Sequence, residues 1–177
     1  MSKGNAYSGA FLSENFVYRP VMKCNPVEIF DSFNATVSQH MVEKPTDSFE
    51  ALKEMIEQKK LDMKNRKSAH FSMRHRKTKL FAGCVDIYPS DTSIKICFWT
   101  TKSQWLQENI LEILERLILF TEKYFDGKKL RIGIPCAETY FTNLIINTFN
   151  ARKGHYRQAQ STPIGMIMYH EYYFPND

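Results

Sequence analysis

Ile94-Lys95-Ile96-Cys97-Phe98-Trp99 and Leu130-Arg131-Ile132-Gly133-Ile134 are two short, apolar, β-branched runs. Between them Ile110, Ile113, Leu114, Leu117, Ile118 and Tyr124 recur at helical spacing from Trp105 or Leu106 to about Phe125. At 1.5 Å per residue that helix is about 30 Å long, the width of a small domain, and Gly127 stops it. Strand, long helix, strand with tight joints is a crossover unit. The two runs are therefore expected to lie parallel and side by side, buried in one sheet.

Working upstream, Ala69 to Arg74 alternates like a half-buried strand, Leu80 to Tyr88 is a second, and Pro89-Ser90-Asp91 turns the chain into Ser93–Trp99. Short joints make these three an antiparallel meander. Phe16 to Pro20 is a short strand ended by proline, and Pro26 opens a helix carrying Val27, Ile29, Phe30, Phe33, Val37 and Met41. Asp47 with Glu50 three residues on reads as the cap of a further helix bearing Phe49, Leu52, Ile56 and Met63. Downstream come a helix over Thr139–Phe149 and strands over Arg152–Gln160 and Met166–Phe174. The expected fold is α+β, with about seven strands in a mixed, mostly antiparallel sheet and about four helices. Residues 1–15 read as a flexible N-terminal segment and 16–177 as one domain.

Composition limits the function classes. At 177 residues, 43% hydrophobic and 24% charged, the chain is ordinary globular protein, neither disordered nor fibrous. The net charge of +5 is mild, and much of it is local: from Lys59 to Lys79 nine Lys or Arg stand against one acid, Asp62. That run reads as a solvated helix end and hairpin, with His70 and His75 solvated beside it and lacking a carboxylate partner. Cys24, Cys84, Cys97 and Cys136 show no C-x-x-C pair and no metal spacing, so no metal site is expected. No apolar leader opens the chain and no run approaches the ~20 apolar residues of a membrane span. A cytoplasmic protein with reduced thiols is the expectation. The aromatic ending Tyr169-His170-Glu171-Tyr172-Tyr173-Phe174 reads as an edge strand open to a homodimer or a protein partner.

The element order, with Tyr18-Arg19-Pro20, the phrase ending Phe98-Trp99, Trp105, Glu112, Leu130-Arg131-Ile132, Asn143 and Gly154-His155-Tyr156, resembles the GCN5-related N-acetyltransferase (GNAT) family. Within it the likeness is to the ribosomal-protein alanine acetyltransferase-like branch, over about Phe16 to Phe174. The resemblance implies that Ile94–Trp99 and Leu130–Ile134 splay apart and that the pantetheine arm of acetyl-CoA enters the gap. It places the pyrophosphate on the amino end of the next helix, where unpaired amides and the dipole favour negative charge. The implied cofactor-binding set is Trp99, Thr100, Thr101, Gln104, Leu106, Gln107, Glu108, Asn109 and Asn143. The implied reaction is attack of an amine on the thioester in a ternary complex. It requires a base, oxyanion donors and an acid for the sulfur; Asp86, Glu112 and Tyr156 are the catalytic candidates.

The sequence departs from that family at the pyrophosphate loop. Leu106 and Glu108 stand at the glycine positions, and no glycine occurs between Thr100 and Asn109. A Glu108 carboxylate beside pyrophosphate is unfavourable by about 1 kcal/mol when exposed. Thr100, Thr101, Lys102 and Ser103 offer substitute donors. Ile146 replaces a small hydroxyl, and Asn150 a tyrosine that serves in many members as the acid for the departing thiolate. The rival reading is a non-catalytic interaction protein of the same fold, a pseudoenzyme of phage or virion association that has lost cofactor binding. A nucleic-acid module on Lys59–Lys79 ranks last, because stacking aromatics are not interleaved with the charges.

Overall fold

A computed structural model describes residues 7–36, 48–125, 128–136, 138–162 and 165–175. The strands are β1 (Phe11–Leu12), β2 (Phe16–Pro20), β3 (Ala69–His75), β4 (Phe81–Pro89), β5 (Ser93–Thr100), β6 (Lys129–Pro135), β7 (Arg152–Thr162) and β8 (Gly165–Tyr173). The helices are α1 (Pro26–Thr36), α2 (Phe49–Lys64), α3 (Gln107–Tyr124) and α4 (Thr139–Phe149). One sheet runs in the order β1-β2-β3-β4-β5-β6-β8-β7, antiparallel throughout except at the β5–β6 seam, which is parallel and bridged by α3. The fold is α+β, and the crossover expected from Ile94–Trp99 and Leu130–Ile134 is its centre.

Register sorts the side chains, because paired residues project to the same face and successive ones alternate. Phe71, Val85 and Phe98 share one face, where the Phe71 ring meets Phe120 of α3 and the Phe98 ring meets Phe141 of α4. On α3, Ile110, Ile113, Leu114 and Leu117 are fully buried, a stripe at three- and four-residue spacing that seats the helix there. His70, Asp86 and Cys97 share the opposite face, under α2. Both faces are thus covered.

Several expectations change in detail. α2 is capped by Ser48, whose extended backbone lets Oγ accept from the Ala51 amide; Asp47, Val37 and Met41 lie outside the described residues. The lead-in is not wholly loose: Phe11 and Leu12 pair with Tyr18 and Val17, and the buried Phe11 ring stacks on Tyr18 at 4.3 Å. The aromatic ending is not an edge. β8 lies between β6 and β7, so its backbone is taken on both sides, and the edge falls on β7. The basic run is partly structural rather than solvated: Arg74 forks onto Glu28, Arg76 donates to the Ser13 and Glu14 carbonyls, and Lys59 pairs with Asp86. Asn150 closes α4 with φ 52° and ψ 30°, a left-handed cap that asparagine tolerates. Position 150 therefore terminates a helix.

Candidate functional site

The β5–β6 seam is only half closed. Its register runs from Ser93↔Lys129 to Ile96↔Ile132, and no rung joins the strands beyond it among the described residues. Past that point each strand keeps its other neighbour. β5 follows β4 through Cys97↔Asp86, Phe98↔Val85, Trp99↔Cys84 and Thr100↔Gly83, while β6 follows β8 through Gly133↔Glu171, Ile134↔His170 and Pro135↔Tyr169. The inner edges of Cys97–Thr100 and Gly133–Pro135 therefore border a slot that no ladder rung between β5 and β6 crosses among the described residues. Gly83 fixes the outer grip: its φ is 148°, and a Cβ there would sit 2.0 Å from the Trp99 oxygen. Gly133 is the reverse case. A Cβ on it would meet nothing within 4 Å, leaving open space beside the slot on the α2 face.

On the α3/α4 face the slot is lined with aromatics. The Phe98 and Trp105 rings lie 5.9 and 5.8 Å from that of Phe141, which is fully buried. Trp105 thus belongs to this cluster. At the mouth, α3 begins after Leu106 with no side-chain cap, whereas Glu138 caps α4 by accepting from the Phe141 amide. The amides opening α3 are thus without a side-chain acceptor. Thr100, wholly buried at the end of β5, has its hydroxyl without a hydrogen-bond partner among the described residues.

The α2 face is charged. Lys59 Nζ lies 2.7 Å from Asp86 Oδ2, Asp86 Oδ1 lies 2.5 Å from His70 Nδ1, and His70 Nε2 lies 2.7 Å from Ser68 Oγ. Ser68, His70 and Asp86 are all buried. Burial alone would raise the Asp86 pKa; the Lys59 ammonium and the His70 hydrogen bond outweigh it and hold the carboxyl at about 2. A cavity of about 30 Å³ is lined by Lys59, His70, Cys84, Asp86 and Trp99 among apolar side chains of α1 and α2. Trp99 belongs to the stretch of β5 that has left β6, so this cavity and the slot share a wall. Tyr169 stands across the slot on the same face, its phenol raised by burial and by the nearby Cys97 thiol.

The expected site residues divide accordingly. Trp99, Thr100 and Thr101 lie at the slot's end, with the Thr101 amide on the Ala82 carbonyl and its hydroxyl 3.3 Å from that of Ser103. Gln104 accepts twice from the buried Asn109, and Gln107 accepts from the Tyr140 hydroxyl of α4. Leu106 and Glu108 are exposed at the start of α3, and Asn143 is exposed on α4. Glu112 faces elsewhere. Its carboxylate accepts from the Asn15 amide and side chain at 2.6 and 2.8 Å, because its helical phase turns it toward the β1–β2 loop. Asp86 is beside the slot, but as a fully engaged carboxylate rather than a free base. The Tyr156 side chain lies outside the described residues. His70, expected in solvent without a carboxylate, is 2% exposed and bonded to one. Its signal was its place on the same strand face as Ser72, in a strand whose polar face is covered.

No described helix is long and apolar enough to cross a membrane. Among the described residues no cluster of three metal-ligating side chains occurs. No protein-family model matches the chain, and no curated protein does. Solved structures match over nearly its whole length. One is the microcin C7 self-immunity acetyltransferase MccE in complex with acetyl-CoA and AMP, 14% identical, TM-score 0.71, over 90% of this chain and 92% of that one. Another is the acetyltransferase that modifies the N-terminal serine of a 50S ribosomal subunit protein from Salmonella typhimurium, 12% identical, TM-score 0.70, over 93% and 97%. A GCN5-related N-acetyltransferase from Brucella melitensis matches with TM-score 0.71 at 11% identity, over 94% and 78%. The fold of this chain is that of the GCN5-related N-acetyltransferases.

Proposed function

We propose that this protein transfers an acyl group, acetyl in the simplest case, from a coenzyme A thioester to an amine. The observation that carries this reading is the half-open β5–β6 seam: two strands that pair over four residues each and then part, leaving a slot between their backbones and room beside Gly133. An extended arm with amide groups is the ligand such edges accept, since buried N–H and C=O groups require partners.

The chain's own residues fit the donor unevenly. The inner edges of Cys97–Thr100 and Gly133–Pro135 would hold the arm, and the unpartnered Thr100 hydroxyl and the opening amides of α3 would meet the phosphate end. Lys102 adds an exposed cation there and Glu108 an exposed anion. When bound, the donor supplies an activated carbonyl with a thiolate leaving group. Asp86, held ionised, fixes charge beside the slot, and His70, one hydrogen bond further, is the group positioned to take up a proton by way of it. Tyr169, buried with an O–H it retains at neutral pH, is placed across the slot to serve the sulfur in the absence of a tyrosine at position 150.

Free thiol released from acetyl-CoA with a panel of primary amines tests this. Release that saturates with one amine class is expected. Binding of coenzyme A with no release for any amine would favour the non-catalytic interaction protein, a reading the glycine-free loop and exposed Glu108 support. No binding at millimolar coenzyme A would overturn the proposal.

A further inference from the structure

We infer that Lys59 is itself an acceptor: the protein acylates this lysine from the thioester in its own slot. The inference rests on the acyl-transfer reading and deepens it by naming an amine. Lys59 reaches from α2 to within 2.7 Å of Asp86, whose register partner Cys97 is the first β5 residue beyond the closed seam. Its side chain lines the same cavity as Trp99, on the slot's own wall, and is only 13% exposed. An amine held there lies on the α2 side of the β5 wall that bounds the slot.

The charge arrangement around Lys59 allows it to become neutral. Removing one partner from a buried ion pair ordinarily strands the other at a cost of several kcal/mol. Here Asp86 has a second partner, His70, on its other oxygen. Among the described residues, the titratable groups that line the cavity with Lys59 are Asp86 and Cys84 from β4 and His70 from β3. In the reaction the nitrogen forms an amide bond with the acyl carbon and the carbon–sulfur bond breaks. Of the two protons the ammonium gives up, one leaves with the sulfur as the coenzyme A thiol. The other passes through the Asp86 carboxylate to His70, which then faces Asp86 as an imidazolium. The buried carboxylate is paired before and after.

The test is incubation of the purified full chain with acetyl-CoA, followed by intact mass and peptide mapping, with thermal melting run alongside. The expected result is one acetyl group on the peptide containing Lys59, formed faster than on the exposed Lys77. Its loss is expected in Lys59→Arg and in Gly133→Phe, which fills the open space beside the slot. Mapping on the wild-type chain keeps the test valid should a variant not fold. Stabilisation by acetyl-CoA without acetyl on Lys59 would overturn this inference and leave the acyl-transfer reading standing. Acetylation of Lys59 no faster than of Lys77, or undiminished in Gly133→Phe, would also overturn it. Neither stabilisation nor acetylation would overturn both.

Discussion

The two sides of the slot are built from different materials. Toward α3 and α4 it is lined by Phe98, Phe141 and Trp105, rings that touch one another and carry no charge. Toward α2 the cavity that shares its Trp99 wall is lined by a lysine, a carboxylate and a histidine in one hydrogen-bonded row. The aromatic side owes its shape to burial and fails by leaving a cavity. The charged side depends on mutual compensation and fails when one member is removed.

The largest effects are expected where compensation is broken. Asp86→Ala leaves the Lys59 ammonium buried without its carboxylate and should destabilise by about 3–5 kcal/mol in urea unfolding. The double replacement Lys59→Met with Asp86→Leu should recover most of that loss, because no unpaired charge remains. A double variant as unstable as the single one would break the comparison. On the other wall, Phe141→Ala should cost about 3–5 kcal/mol through the cavity it opens beside Phe98 and Trp105, and no compensating charge change should restore it.

Acid sharpens the contrast. The folded-state pKa of Asp86, about 2, lies below the roughly 3.9 of an unfolded aspartate. Its contribution, about 2 kcal/mol, is therefore whole above the unfolded value and lost as pH falls from about 4 through 2. Denaturant midpoints measured down that range should fall in wild type and fall less in the double variant. The smallest effect belongs to the mouth. Glu108→Gly removes a carboxylate from the start of α3 and should tighten coenzyme A binding by about 1 kcal/mol, roughly fivefold by titration calorimetry. Unchanged affinity would place the phosphates away from α3.

The crossover was legible because α3 writes its period plainly and the flanking runs are continuous apolar strands. The charged row was not. Its members come from positions 59, 68, 70 and 86, on a helix, a loop and two strands, and no spacing along the chain reveals a helix-to-sheet contact. The alternation Ala69–Arg74 reads as a strand with one wet face, yet α2 covers that face, so its polar residues became a buried network. Asp86 stands out in the sequence as an acid amid Cys84, Val85 and Ile87; its engagement with Lys59 and His70 needed the fold. Glu112 failed as a candidate because the stripe Ile110, Ile113, Leu114 fixes which side of α3 faces the sheet but not which neighbour its flank meets. The edge reading of Tyr169–Phe174 failed because the last strand inserts beside β6 instead of adding outside β7.

The most direct test of the open seam is thermal melting of wild type and Gly133→Phe with and without acetyl-CoA. At about a hundred times the dissociation constant the ligand should stabilise wild type by about 2.7 kcal/mol, a rise of roughly 5–10 °C for a chain of this size. Gly133→Phe, whose Cβ would meet nothing within 4 Å, should melt near wild type alone and gain nothing from acetyl-CoA. A wild-type Tm that does not move, or an equal rise in both proteins, would contradict the claim that the parted strands β5 and β6 hold the donor.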